Sequence, residues 1–257
     1  MEVLIQRVVD LIQERYSEPL NLDELARTAI MSKFHFLRTF RDVTGVTPGR
    51  FLSAVRLEAA KELLLTTSLN VSDISARVGY SSTGSFTRRF TESVGCSPTQ
   101  YRHAGGLRGT RGTNGAEEAA NGANGVDRAD GADGASGGCI SGSVRGISPN
   151  VSAIYIGVFD SPILERFPAD QAMVTAPGRF RLAGVPTGTW WVHAVAHGAS
   201  PESAANLADA LLVDTAGPFE ITADSRLELE LTVRPRAWSH PPVLLALPYL
   251  GKLGFAA

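Results

Sequence analysis

Apolar residues at the start of the chain recur at helical intervals. Leu4, Ile5, Val8, Leu11, Ile12 and Tyr16 fall at three- and four-residue steps, while Glu2, Arg7, Asp10 and Glu14 lie mainly elsewhere. Residues 1–104 keep this helical texture throughout. Between Gly105 and Gly138 the pattern stops: 11 glycines and only two large aliphatics, Leu107 and Val126, sit among Ala, Asn and Asp. Such a stretch cannot bury enough apolar surface to offset its ordering entropy, which predicts a disordered linker over 105–138. About 33 such residues reach roughly 30 Å, so the parts on either side are expected to tumble semi-independently. From Cys139 the period becomes two, with strands expected at 143–146, 152–159, 178–184, 189–196, 209–214, 218–222 and 226–233. Gly-Pro, Pro-Thr-Gly and Ala-Gly-Pro separate them. Short strands with no helix between them predict a β-sandwich over 139–236. The tail 237–257 carries Pro241, Pro242, Pro248 and an apolar run at 243–247, which is expected to cover its own sandwich or a partner. The fold class is therefore multidomain: all-α in front, a Gly-rich linker, all-β behind.

The helical part contains a repeat. LNLDELARTAIMSKFHFLRTFRDVTGVTPGRF at 20–51 returns as LNVSDISARVGYSSTGSFTRRFTESVGCSPTQY at 69–101. Leu20 and Leu69, Leu25 and Ile74, and Ala29 and Val78 are 49 apart; Phe40 and Phe90, Gly45 and Gly95, and Pro48 and Pro98 are 50 apart. Each copy predicts a short helix (22–29, 71–78), a tight turn, and a second helix capped by Ser32 or Ser81. The second helix is expected to bury Leu37 or Phe86 and Phe40 or Phe90, and to end near Gly45 or Gly95. This is a helix-turn-helix unit, twice. Between the copies, Thr47, Pro48 and the stripe Phe51, Val55 and Leu63 predict a connecting helix. At some 18 residues it would span roughly 27 Å, enough to hold two recognition helices about one DNA turn apart.

These residues resemble the AraC/XylS-type transcription regulators. The resemblance runs through LDELA at 22–26, MSKFHFLRTFRDVTGVTPGRF at 31–51, RLEAAKELL at 56–64 and VSDISARVGYSSTGSFTRRFTESVGCSPTQYR at 71–102. It implies that the second helix of each unit enters the major groove of double-stranded DNA. Carried over by position, the base-reading residues are Lys33, Phe34, Leu37 and Arg38 in the first unit, and Thr83, Gly84, Ser85 and Arg88 in the second. Arg can fork onto guanine O6 and N7, and Thr, Ser or aromatic edges can pack on thymine methyls. Leu37 and Gly84 depart from richer readers of the family, which shifts discrimination toward Arg38, Arg88 and DNA shape. Ser32, Arg41, Ser81, Thr87 and Arg89 are expected at phosphates. Phe40, Phe86 and Phe90 are expected in the core, and His35 on the helix surface; Phe34 is expected either at a thymine methyl or in the core, and Arg38 and Arg88 either at DNA or in intramolecular ion pairs.

In the second half, Gly178, Phe180, Leu182, Val185, Pro186, Gly188, Trp190 and Val192 resemble the carboxypeptidase regulatory-like, transthyretin-like sandwiches. That resemblance implies a binding or structural module without chemistry of its own. Of the adjacent Trp190 and Trp191, one is expected in the core and the outward one at a ligand or partner.

Charge and composition narrow the function. The net charge is −2, with 24 Lys+Arg against 26 Asp+Glu, which excludes a basic coat over the whole molecule. Residues 1–104 carry 13 basic against 11 acidic residues, and the remainder 11 against 15, so the excess of positive charge lies in front. Two cysteines, Cys96 and Cys139, make neither a disulfide framework nor a zinc site, and both are expected to be inert. His193 and His197 on one strand are too far apart to share a metal and are expected at the surface. No nucleophile elbow or zinc-cysteine repair module is recognisable, so no catalytic residue, metal or cofactor is expected. Lacking a signal-peptide core or an apolar run of membrane-spanning length, the chain is expected to be cytoplasmic. The reading is a sequence-specific regulator whose sandwich senses a small-molecule or protein effector or pairs two copies. The alternative is an architectural DNA binder whose sandwich is only an interaction module.

Overall fold

Side-chain caps set the helix starts. The computed structural model describes residues 1–106, 137–146, 151, 153–175, 177–197 and 211–246. Its helices are α1 (Glu2–Arg15), α2 (Leu22–Thr28), α3 (Lys33–Thr44), α4 (Pro48–Thr66), α5 (Val71–Arg77), α6 (Thr83–Val94) and α7 (Pro98–Gly106). Asn21, Ser32, Thr47, Asn70, Ser82 and Ser97 each accept an N–H bond from the first turn of the helix that follows. A cap of this kind contributes about 1 kcal/mol. Ser97 and Gln100 close the bond reciprocally, since the Ser97 N–H also donates to Gln100 Oε1 at 2.9 Å. In the second unit the cap is Ser82, not the expected Ser81. The extra residue of this copy therefore lies in the turn before the helix.

The repeat is visible in the core. Phe36 and Phe86, Phe40 and Phe90 are all 0% exposed. The rings run Phe36–Phe40–Phe51 in one unit, at 5.5 and 5.7 Å, and Phe86–Phe90–Tyr101 in the other, at 5.6 and 5.8 Å. The expected burial of Leu37 is corrected: Phe36 fills that place and Leu37 is half-buried. Gly45 and Gly95 end α3 and α6 with φ of +76° and +91°, the left-handed region that suits glycine.

The strands are β1 (Gly138–Gly146), β2 (Ala153–Phe159), β3 (Asp170–Thr175), β4 (Gly178–Val185), β5 (Gly188–His197), β6 (Leu211–Ile221) and β7 (Arg226–Pro235). They form one sheet in the order β3-β2-β5-β6-β7-β1-β4. β1 and β7 pair in parallel, and every other ladder is antiparallel. The expected sandwich is thus corrected to a nearly closed barrel. Its halves are hydrogen-bonded through Leu212↔Pro235 and Val213↔Arg234 on one side. On the other, the Gly184 N–H reaches Asp170 Oδ2 at 3.3 Å, between the end strands. β3 had not been expected, and the two strands expected at 209–214 and 218–222 are one, β6. Gly217, at φ +129°, lies opposite a register shift in β5 between Trp190 and Val192, so the Ala-Gly-Pro sequence makes a bulge and not a turn.

Of the expected linker's ends, Gly105–Gly106 lie in α7 and Gly138 in β1. Residues 107–136 lie outside the described residues, as do 247–257 of the tail. The helical and β parts pack against each other, which corrects the expectation of semi-independent tumbling. Ile163, Leu244 and Ala246 belong to the same buried cluster as the helical core. Leu164, Val243 and Leu245 face the other way, onto Tyr155, Phe159 and Val195. Alternation along 243–246 thus sends one set of side chains to each half, and these residues sit between them. Lys61 donates to the Val243 carbonyl at 2.9 Å, and burial pushes its ammonium down to about 8. Arg236 pairs with Glu58 of α4 at 3.2 Å. No helix among the described residues is long and apolar enough to cross a membrane.

Candidate nucleic-acid interface

The first turns of α3 and α6 carry the candidate readers, because burying Phe36, Phe40, Phe86 and Phe90 turns the opposite face of each helix outward. On α3, Lys33, Phe34, Arg38 and Arg41 are exposed. Phe34 is 89% exposed, an outward aromatic that the protein itself does not cover. Leu37 lies half-buried between them. On α6, Gly84, Ser85 and Arg88 are exposed, and Thr83, Thr87 and Arg89 are half-buried. Thr83, Gly84, Thr87, Arg88, Thr91 and Glu92 line a shallow open groove along this helix. A Cβ at Gly84 would meet nothing within 4 Å, so the groove is open there by lack of a side chain.

Hydrogen bonding divides these residues into engaged and free. Lys33 pairs with Asp23 at 2.6 Å, both groups being more than half exposed. Ser32 caps α3, accepting from His35 N–H at 3.5 Å, and His35 is exposed as expected. Ser85 accepts from the Ser82 hydroxyl at 2.9 Å, and Thr83 donates to Ser72 at 3.1 Å. Arg89 Nε donates to Ser53 of α4 at 3.4 Å, turning this arginine toward the connecting helix. Ser81 is exposed in the turn. The side chains of Arg38, Arg41 and Arg88 have no hydrogen-bond or ion-pair partner among the described residues.

Position-by-position reading overlooked three residues. Thr91 and Glu92 continue the outward stripe from Thr87 and Arg88, and the four-residue step alone would have found them. Ile30, 78% exposed in the turn before α3, has φ +55° where the second unit has Gly79 at +86°. The expected surface histidine His193 is instead buried at 3%, and its partners are Thr215 Oγ1 and the Ser161 carbonyl. The side chain of His197 lies outside the described residues. Trp190 packs on the barrel core with its Nε1–H donating to the Pro186 carbonyl at 2.7 Å, and Trp191 is half-buried. Cys96 and Cys139 are buried free thiols, and burial pushes Cys96 up to about 11. No cluster of metal-ligating side chains occurs among the described residues.

Residues 25–104 match the model of the helix-turn-helix domain family. The regulatory protein SoxS of Salmonella typhimurium is 36% identical over 100 residues, covering 39% of this chain and 94% of that protein. The lactose operon transcription activator of Staphylococcus xylosus is 32% identical over 99 residues, 38% of this chain. The chain spans 36% of the length of that activator. Among solved structures, the DNA-binding domain of AdpA in complex with a target DNA is 32% identical, with a TM-score of 0.40, covering 42% of this chain and 97% of that one.

Proposed function

Because the chain belongs, through its helical part, to the AraC family of helix-turn-helix regulators, we propose that it is a sequence-specific DNA-binding transcription regulator. In this reading α3 and α6 enter successive major-groove segments on one face of a duplex. The carrying observation is the pair Arg38 and Arg88, which occupy equivalent places in the two units, both exposed and both without a partner among the described residues. A guanidinium held free on a helix face is suited to a bidentate contact with guanine, and Phe34 to a thymine methyl. Lys33, Leu37, Thr83, Gly84 and Ser85 complete the base-facing sets. Ser32, Arg41, Ser81, Thr87 and Arg89 take phosphates, where they position without reading. Lys33 must exchange Asp23 for a DNA acceptor. Their contact is exposed and salt-screened, so the exchange costs at most about 1 kcal/mol.

The β domain has a regulatory role in this proposal, by binding an effector or pairing two copies of the chain. Selection from random duplexes followed by footprinting tests the DNA half. The expected result is one recurring motif protected in two segments about 10 base pairs apart on one face. Retention of all duplexes alike, with affinity set by salt alone, would favour an architectural binder instead.

A further inference from the structure

The reading ends of α3 and α6 are exposed, but their other ends are not free. One loop of the β domain, residues 160–169 between β2 and β3, lies beside both. Pro162 Cβ lies 3.7 Å from the place a Cβ on Gly45 would occupy, and the Phe167 ring lies 3.3 Å from the equivalent place on Gly95. The loop therefore meets the same structural position in each repeat. Between these contacts, Ile163 is 1% exposed within the helical core, and the Arg166 N–H donates to the Ser93 carbonyl near the end of α6 at 2.8 Å. Arg50, in the first turn of α4, pairs with the buried Glu165 at 2.7 Å and donates to Ser161 Oγ at 2.8 Å.

The barrel holds the loop from behind. The Ser161 carbonyl can only accept, so His193 Nε2 carries the proton of their 2.9 Å bond, and Nδ1 accepts from Thr215. The N–H groups of Leu244 and Leu245 both reach the Leu164 carbonyl, at 2.9 and 3.1 Å.

Five peptide units from Pro162 to Phe167 span at most about 18 Å. A short strap anchored in the β-barrel thus holds the trailing end of α6 and the start of α4, which follows α3 directly, and lies against the trailing end of α3. Each helix has 12 residues and is about 18 Å long. A tilt of about 10° around the held end would carry the reading end by about 3 Å, close to one base-pair step.

We propose that residues 160–167 are a positioning brace for DNA recognition, setting the base-pair spacing between the two segments that the chain accepts. This rests on the two-segment reading above. Its test uses the full chain and a duplex that the chain selects from random sequence. That duplex is remade with one or two base pairs inserted between its contacted segments, and also with only one segment kept. The double variant Glu165→Ala, Phe167→Gly removes the ion pair to α4 and the ring beside the end of α6, loosening the strap while leaving the backbone bond to Ser93. Arg50 is 40% exposed and can be solvated once its partner is gone. Wild type should bind the one-pair insertion about tenfold or more weakly than the selected spacing, the cost of roughly one misplaced base contact. In the variant that preference should fall to about threefold or less, with affinity for the one-segment duplex unchanged. Glu165→Gln keeps an acceptor for Arg50 and should keep the wild-type preference.

A uniform loss on every duplex, or an unaltered spacing preference in a variant that melts like wild type, would overturn the brace while leaving the DNA reading intact. Failure of the full chain to select any motif would overturn both. Should the double variant not fold, Phe167→Gly alone, at a residue 67% exposed, must still relax the preference.

Discussion

Phe36 and Phe86, Phe40 and Phe90, Phe51 and Tyr101, and Gly45 and Gly95 hold matching places in the two helix-turn-helix units, while the outward positions of the same helices diverge. Lys33 stands opposite Thr83 in the alignment of the copies, Phe34 opposite Gly84, and Leu37 opposite Thr87. Of the outward candidate positions only Arg38 and Arg88 are the same residue. The interior is held fixed by packing, because a ring removed from either unit leaves a hole that its neighbours cannot fill. The outer face carries no such constraint. One unit therefore presents an aromatic, apolar and basic surface and the other a small, hydroxyl-rich one, on the same frame.

Breaking the shared interior should give the largest effect, and the same effect twice. Phe36→Ala and Phe86→Ala should each cost about 3–5 kcal/mol of stability in denaturant melts. A clear inequality between them would mean that the two cores are not equivalent.

Acid should separate the repeats from the barrel. Burial pushes His193 down to about 4 from an ordinary 6.5. Its unfolded form takes up a proton first as pH falls, so stability is full above about pH 6.5 and is lost between about 6.5 and 4. The loss is of order 3 kcal/mol. His193→Gln should flatten that part of the pH–stability curve; an unchanged slope would assign it to other groups.

The turn offers the smallest and sharpest contrast. Ile30 holds a left-handed conformation that costs a β-branched residue about 1–2 kcal/mol, while Gly79 adopts it freely. Ile30→Gly should therefore stabilise by about 0.5–1 kcal/mol after the greater entropy of a glycine in the unfolded chain. Gly79→Ala should destabilise, since its Cβ would stand 2.6 Å from the Ser17 carbonyl oxygen. Opposite signs from calorimetry on the two variants would sustain the contrast.

The helical half was legible in the sequence because its signals are local. Caps, glycine ends and a repeat of about 50 residues are properties of neighbouring positions, and only the one-residue register around Ser81–Ser82 and Leu37–Phe36 went astray. The insertion between the copies can be placed on either side of the cap without changing the pattern. The β half was legible strand by strand but not as a whole. A period of two says which face is buried and nothing about which strands pair, so sandwich and barrel share one signature. β3 escaped because Asp170–Thr175 is half-exposed and mixes polar with apolar residues. The docking of the two halves had no sequence signal. Ser161, Pro162, Glu165 and Arg166 carry no pattern that points to the helices, and only the fold turns Glu165 inward against Arg50. The candidate DNA face stood out best at Arg38 and Arg88, where the repeat and the resemblance agree.

The duplicated reader is tested most directly by repeating the selection from random duplexes with Arg38→Ala and with Arg88→Ala. Each variant should recover the wild-type motif with one half blurred at a single base pair, the other half intact, and an affinity loss of about 1–3 kcal/mol on the selected duplex only. Both arginines blurring the same half, or both variants losing equally on selected and random DNA, would contradict two separate readings by two units.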